Sequence, residues 1–387
     1  MKFKRYKLND LSIDGGSYGI GASAVEYDKK LYTYLRITDI NEDGTLNYKD
    51  MMSVNDPKAN QYILKKNDIC FVRTGNSTGK TYFYDGSIEN LVYAGFLIKF
   101  SIDEEKVNPK YVKYYIMTSK YKNWVKEIQT GSTRGNINAK MYGNLDILIP
   151  ERTYQDKLVI VLDKIADKIK YNTKTNDNLY KMMKIKFEDW ITNLNKYEVS
   201  SLSKIANYTN GLAMQKFRPK DNEESLPVIK IKEMNDGITE NTERCSTNIK
   251  DEVIINNGDV LFAWSGTLCM SIWGKGKAGL NQHIFKVTSD KYPKWFYYFW
   301  TLKHLNKFKM IAAGKATTMG HIKRGELDIS EVLIPEDKEL QEMHKIMQPL
   351  FNKYINNLIQ NETLTQLRDT LLPKLMNGKI NLDKIEI

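Results

Sequence analysis

From Glu151 to Trp190 the chain runs without a glycine or a proline. Along this stretch Leu158, Leu162, Ile165, Ile169, Asn172, Asn176, Leu179, Met183, Phe187 and Trp190 recur at spacings of four and three. That periodicity predicts one α-helix with a seam close to a coiled-coil repeat. Roughly forty residues of helix reach about 60 Å, more than a small domain is wide. Such an element is expected to be a strut rather than a core helix. A second stretch, Glu336 to Leu372, repeats the design, with a seam of Leu340, Met343, Met347, Leu350, Tyr354, Asn357, Asn361, Leu364, Arg368 and Leu371. The amides fall in step: Asn172 plus 185 is Asn357, and Asn176 plus 185 is Asn361. Two readings of them stay open. Polar residues in a paired seam fix register at a cost in stability; on a helix packed along one side only they would be solvated.

The stretches between the helices repeat as well, and an internal repeat decides the fold class before any other signal. Tyr34-Leu35-Arg36-Ile37-Thr38-Asp39 matches Val228-Ile229-Lys230-Ile231-Lys232-Glu233, and Asn67-Asp68-Ile69-Cys70-Phe71 matches Gly258-Asp259-Val260-Leu261-Phe262. Asn108-Pro109-Lys110-Tyr111 matches Tyr292-Pro293-Lys294-Trp295, and Gly143 to Pro150 matches Gly325 to Pro335. Each copy holds short β-branched or aromatic runs (Tyr32–Ile37, Ile69–Val72, Phe96–Phe100, Leu145–Ile149 in the first) between turn clusters, plus a helix predicted over Pro109–Thr130. The expected fold class is therefore mixed α/β (α+β): two similar domains, 1–150 and 198–335, and two long helical spacers, 151–197 and 336–387. Arg73-Thr74 in the first copy aligns with Ala263-Trp264 in the second, so the copies differ in loop residues.

A chain of 387 residues with 41% hydrophobic residues can bury more than one core. Its net charge of +11 points to a polyanionic partner. Cys70, Cys245 and Cys269 are far apart and odd in number, which suits plain thiols in a reducing compartment better than a disulfide framework or a zinc site. The basic start is followed by no apolar segment, and no run approaches the roughly 18 apolar residues of a membrane helix. The expected place is the cytoplasm, away from the membrane.

Motifs for chemistry are absent. Gly75-Asn76-Ser77-Thr78-Gly79-Lys80 has three residues between its glycines where a phosphate-binding P-loop has four. Asn108-Pro109-Lys110-Tyr111 lacks the second proline of an amino-methyltransferase motif and reads as a helix start. His283, His304, His321 and His344 have no metal-ligand spacing. No catalytic or metal-ligating residue is assigned. The loop Gly131-Ser132-Thr133-Arg134-Gly135-Asn136-Ile137 and its counterpart, Gly314 to Ile322, carry small hydroxylated residues near Arg134, Lys315, Lys323 and Arg324, groups that suit phosphate and base-edge contacts.

The whole chain resembles the specificity (S) subunit of a type I restriction–modification system. The resemblance rests on two recognition domains alternating with two helical spacers, the Gly-Ser-Thr loop at 131–137, Leu145 to Pro150, Gln155 and Gln341 after the prolines, and the run Leu371-Leu372-Pro373-Lys374-Leu375-Met376-Asn377-Gly378. It implies that each domain reads one half of a split, asymmetric site on double-stranded DNA. It further implies that the spacers form an antiparallel coiled coil giving a pseudo-two-fold repeat, and that two methyltransferase subunits dock on it, with two restriction subunits where the system keeps a nuclease. No cofactor is expected on this chain: S-adenosylmethionine belongs to the methyltransferase, ATP and Mg to the restriction subunit. Half-sites one helical turn of DNA apart lie about 34 Å from each other, within reach of such helices.

By charge and loop position, the expected DNA contacts are Arg36, Arg73, Thr74, Lys80, Ser132, Thr133 and Arg134 in the first half. In the second they are Lys230, Lys232, Ser265, Lys315, Thr317 and Lys323. Leu162, Ile165, Ile169, Asn172 and Asn176 are expected to pair with Leu350, Asn357, Asn361, Leu364 and Leu371. Three other readings remain open: a specificity partner of a fused restriction–methylation enzyme, a coiled-coil scaffold with no DNA role, and a self-contained methyltransferase, which would bind S-adenosylmethionine alone.

Overall fold

A computed structural model describes residues 2–130, 135–314 and 320–382. The chain divides into two compact units: Met1–Ile165 with Leu367–Ile387, and Ala166–Gln366.

In the first unit the strand Asp68–Val72 is buried from end to end, and its apolar part, Ile69–Val72, is the unbroken hydrophobic run such burial requires. It pairs antiparallel with Leu97–Ile102 and Thr81–Phe83, and Ser12–Tyr18 closes a four-stranded sheet on the far side of Leu97–Ile102. A second sheet sets Tyr32–Leu35 parallel to Leu91–Tyr93 and antiparallel to Met52–Val54, which also pairs with Ala24–Val25. The N-terminal strand Lys4–Lys7 pairs with Asp146–Ile149, immediately before the first long helix.

The second unit repeats this topology. Asn207–Asn210, Ile284–Thr288, Val260–Ala263 and Cys269–Ile272 form an antiparallel sheet in the same order as the four strands just described. Ser225–Ile229 lies parallel to Ala278–Leu280, as Tyr32–Leu35 does to Leu91–Tyr93. Tyr197–Ser201 pairs with Glu331–Pro335, repeating the terminal pairing of the first unit. The repeat extends to single acids, Asp68 buried and Asp259 half-buried. The Asp68 carboxylate accepts from Lys65 N (2.7 Å) and Ser101 Oγ (2.6 Å) and faces Lys99; that of Asp259 accepts from Asn256 N (2.8 Å) and faces Lys286 at 3.2 Å. Burial pushes the Asp68 carboxyl up against the pull of these partners. Both acids close turns.

The helix expected over Pro109–Thr130 is two helices, Pro109–Tyr115 and Ser119–Thr130. The break falls where Thr118 turns its hydroxyl (2.7 Å) and its N–H (3.0 Å) onto Tyr115 O, replacing the helical pattern with a tighter one. Its counterpart Lys294–Ala313 is continuous. Residues 295–301 of that helix are all buried, so its first two turns are enclosed on every side, while Lys303, Asn306, Lys307 and Lys309 keep one face of the remainder exposed.

The long helices are Arg152–Thr192 and Asp337–Met376. Contrary to a pure strut, their ends belong to cores. Leu158 and Leu162 pack with Leu372 and Leu375 in the first unit. In the second, Phe187 stacks on Phe299, Trp190 meets Trp295, and Phe351 meets Tyr298, all with centroids within 6 Å. Pro349 lies inside the second helix and removes one backbone donor. Fully buried Met347 and Phe351 on either side anchor the helix there. No helix among the described residues is long and apolar enough to cross a membrane.

Candidate nucleic-acid interface

Several of the basic residues singled out by sequence are engaged within the protein. Arg36 donates from Nε (3.1 Å) and Nη2 (2.6 Å) to the buried carboxylate of Asp39, and from Nη2 to Asp50 O (2.6 Å). Asp39 in turn accepts from Arg36 N, capping the short turn that follows the strand. Lys230 holds the same place in the second unit: its N–H donates to Glu233, and its ammonium lies 2.7 Å from Glu243. That contact holds the Glu243 carboxyl below its ordinary range. Lys80 pairs with Glu42 at 2.8 Å. By contrast, Lys232 and Lys323 are exposed. Ser132, Thr133, Arg134, Lys315 and Thr317 lie outside the described residues.

The glycine-rich turn at 75–79 links two strands, Asp68–Val72 and Thr81–Phe83, and opens no helix. Thr78 Oγ1 donates back to Gly75 O (2.7 Å), so that hydroxyl faces inward. Gly79 has φ +91°, and a Cβ there would lie 2.5 Å from Val125, which requires glycine for two reasons.

Arg73 leaves the end of the buried strand Asp68–Val72 with its guanidinium 5.0 Å from the centroid of the Tyr18 ring. Tyr18 Oη accepts from Ala139 N (3.2 Å), and Thr74 follows half-buried. Ile137 N donates to Arg73 O (2.9 Å), laying the segment after 135 along this strand end. In the second unit Ile322 N donates to Trp264 O (3.1 Å) in the same way. Arg73 therefore corresponds to Trp264, and the alignment of Arg73-Thr74 with Ala263-Trp264 is corrected by one residue. The offset already read from Asp68 and Asp259 carries through to this position. Ser265 is buried and forms a backbone bridge with His321. The Trp264 ring packs on Phe285 and between His283 and His321.

Along the long helices, the amides meet each other. Asn172 Nδ2 donates to Gln360 Oε1 (2.8 Å) and Asn361 Oδ1 (2.9 Å); Asn361 Nδ2 donates to Thr173 Oγ1 (3.2 Å). Asn176 Nδ2 donates to Tyr354 O (3.0 Å), and Asn357 Nδ2 donates to Asn176 Oδ1 (2.9 Å). Rising numbers on one helix meet falling numbers on the other, so this segment is antiparallel. Asn172, Asn176 and Asn357 are buried, so these amides do not face solvent. Leu162 and Ile165 are buried, while Ile169, Leu350, Leu364 and Leu371 are half-buried. On the second helix the fully buried positions are Met347 and Asn357, both in the expected seam, and Phe351 and Leu375, which are not, with Leu372 nearly so. That helix also covers a globular core, so its buried stripe is wider than a two-helix seam.

A family profile described as the type I restriction modification DNA specificity domain matches residues 2–181 and again 195–366. The specificity subunit of the type I restriction enzyme MjaIX from Methanocaldococcus jannaschii is 23% identical over 317 residues, covering 73% of this chain and 72% of that protein. The HindI specificity subunit from Haemophilus influenzae is 22% identical, covering 90% of this chain and 95% of its own length. A crystal structure of a type I restriction–modification S subunit from M. genitalium superposes with a TM-score of 0.55 at 14% identity, over 97% of this chain and 96% of that one.

Proposed function

This chain belongs to the type I restriction modification DNA specificity domain family, and from that premise we propose that it is the sequence-reading, non-catalytic subunit of a DNA methylation and restriction complex. In this reading 1–150 and 198–335 are the target-recognition domains, and each reads one half of a bipartite, asymmetric site on double-stranded DNA. The spacers 151–197 and 336–387 dock two methyltransferase subunits, and restriction subunits where the system has them. The chain contributes binding and orientation, while S-adenosylmethionine is held by the methyltransferase and ATP with Mg by the restriction subunit.

The observation that carries this reading is the duplication of one sheet topology with unlike residues at matching loop positions, Arg73 against Trp264 above all. A scaffold needs no second copy whose loops differ in chemistry; a reader of two different half-sites does. The net charge of +11 suits a phosphate-rich partner. Exposed Lys232 and Lys323 are better placed for phosphate contact than Arg36, Lys80 or Lys230, whose charges already have partners. Tyr171, Met182, Ile185 and Ile346 are exposed apolar positions on the long helices of the second unit, which suits a protein partner there.

The test is the methylome of cells carrying the intact system. Methylation is expected at a split motif with two different halves. A continuous or palindromic motif refutes the reading.

A further inference from the structure

Four backbone positions surround the strand end at Arg73, and the same four surround Trp264. Gly19 N donates to Leu97 O (3.2 Å) where Gly211 N donates to Ile284 O (3.1 Å). A Cβ on either glycine would sit within 2.3 Å of two backbone carbonyl oxygens, those of residues 93 and 94 or of residues 280 and 281. Arg73 N donates to Phe96 O (3.1 Å) where Trp264 N donates to His283 O (3.2 Å). With the Ile137 and Ile322 bonds described above, these contacts pair Tyr18 with Asn210, Arg73 with Trp264, Phe96 with His283, and Asn136 with His321.

The side chains at these positions have unusual surroundings. In the first unit Tyr18 and Phe96 are large and exposed, and Arg73 lies over the Tyr18 ring. Arg73 Nε and Asn136 Oδ1 are buried atoms with no hydrogen-bond partner among the described residues. In the second unit Trp264 Nε1 donates to Asn210 Oδ1 (2.9 Å), and its ring packs against the imidazoles of His283 and His321. His283 Nε2 lies 3.2 Å from Gln282 Nε2, while its buried Nδ1 has no partner among the described residues. Buried polar atoms are ordinarily paired, and an exception calls for a ligand or a function. Here such exceptions occur in both quartets, at Arg73 and Asn136 in the first and at His283 in the second, beside planar rings.

Resting on the proposed function, we infer that these two quartets are the base-reading patches, each contacting base edges of one half-site. The chemistry fits that ligand. A guanidinium pairs with two acceptors on a guanine edge, a carboxamide with the donor and acceptor of an adenine edge, and an imidazole with either kind of group. Aromatic faces take thymine methyls or an unstacked base. Phosphate contacts, in contrast, position a protein without specifying sequence, and they fall to the exposed lysines. The quartets differ at all four positions, so they select different bases. Of the eight, Arg73 alone was among the DNA contacts expected from sequence; Asn136 and His321 lie in the two loops singled out there, and the remainder follow only from strand pairing.

The experiment uses the full chain co-expressed with its methyltransferase subunits, reading methylation genome-wide for wild type, R73A, N136A, W264A and H283A. R73K and H283N, closer in size, stand in for any alanine variant that fails to accumulate. The first pair of variants is expected to relax one half of the motif and the second pair the other half. Discrimination at the affected base should fall on the order of ten-fold or more, with the opposite half unchanged. Should the wild-type complex methylate a split motif that all the folded variants retain unaltered, the inference is overturned while the function stands. Should wild type methylate no split motif, the function itself falls, and this inference with it. Loss of discrimination in both halves from a single variant also overturns the assignment of one quartet to one half-site.

Discussion

Replacing Asn357 by leucine removes the donor to Asn176 Oδ1 and leaves that oxygen buried and unpaired. Asn176 keeps its own bond to Tyr354 O, so the loss is confined to one acceptor. Orphaning a buried polar atom costs about 1–3 kcal/mol, partly offset by the added apolar burial of leucine. We expect a net loss of roughly 1.5 kcal/mol for N357L. N176L should cost at least as much, because it orphans Asn357 Nδ2 and also removes the donor to Tyr354 O. The double variant N176L/N357L replaces both partners by apolar groups and should be near neutral or stabilising. The cycle thus predicts a coupling of about 3 kcal/mol, far from additive. Five of the six tryptophans (Trp190, Trp264, Trp273, Trp295, Trp300) lie in the same unit as the pair, so their fluorescence under urea reports on that unit. With a slope of about 2–3 kcal/mol per M urea, each single variant should lower the midpoint by about 0.6 M, and the double variant should restore it. Additive singles, or singles that leave the midpoint unmoved, would refute the buried-pair argument.

Two further predictions separate structural from surface cations and identify a pH-sensitive group. R36A strands the fully buried Asp39 carboxylate, so unfolding free energy should drop by about 3 kcal/mol. K323A should leave stability within about 0.5 kcal/mol and reduce the slope of log affinity against log salt by about one if it meets a phosphate; the opposite pattern would reverse the two assignments. His304 is stacked on Trp300 and close to Glu331 O (2.8 Å), and burial pushes its pKa down. The unfolded chain then takes up a proton that the folded chain refuses. The stability that His304 contributes is full above the ordinary histidine value of about 6.5 and is lost as pH falls toward the lowered folded value. Melting temperatures between pH 7.5 and 5 should therefore fall more steeply for wild type than for H304Q, and equal slopes would contradict this.

Much of the architecture was legible because it is written in periodicity. The glycine-free seam marked one long helix, and the in-step asparagines marked its twin. The matched strand runs at Asp68 and Asp259 marked the duplication, since a strand buried on both faces has no choice but a continuous apolar run. Local competition hid the break at Thr118, where a hydroxyl takes over a carbonyl that the helix would otherwise use. The buried stripe of the second long helix was misjudged for another reason. Phe351 and Leu372 are dictated by what lies beside the helix, which a two-helix repeat does not encode.

The residues around Arg73 and Trp264 belong to a different category. Tyr18, Phe96 and Asn136 are remote from Arg73 in the chain and look unremarkable in isolation. Strand pairing and one backbone hydrogen bond after the loop bring them to the same sheet end. Likewise, charge alone ranked Arg36 with Lys323, whereas folding neutralises the first on a buried carboxylate and leaves the second in water. Sequence determined which segments exist, that they occur twice, and that the asparagines recur in step in both helices, because period and repetition are properties of the chain. Tertiary structure alone decided which cations keep their charge available and which side chains converge, because both depend on neighbours brought in from far along the chain.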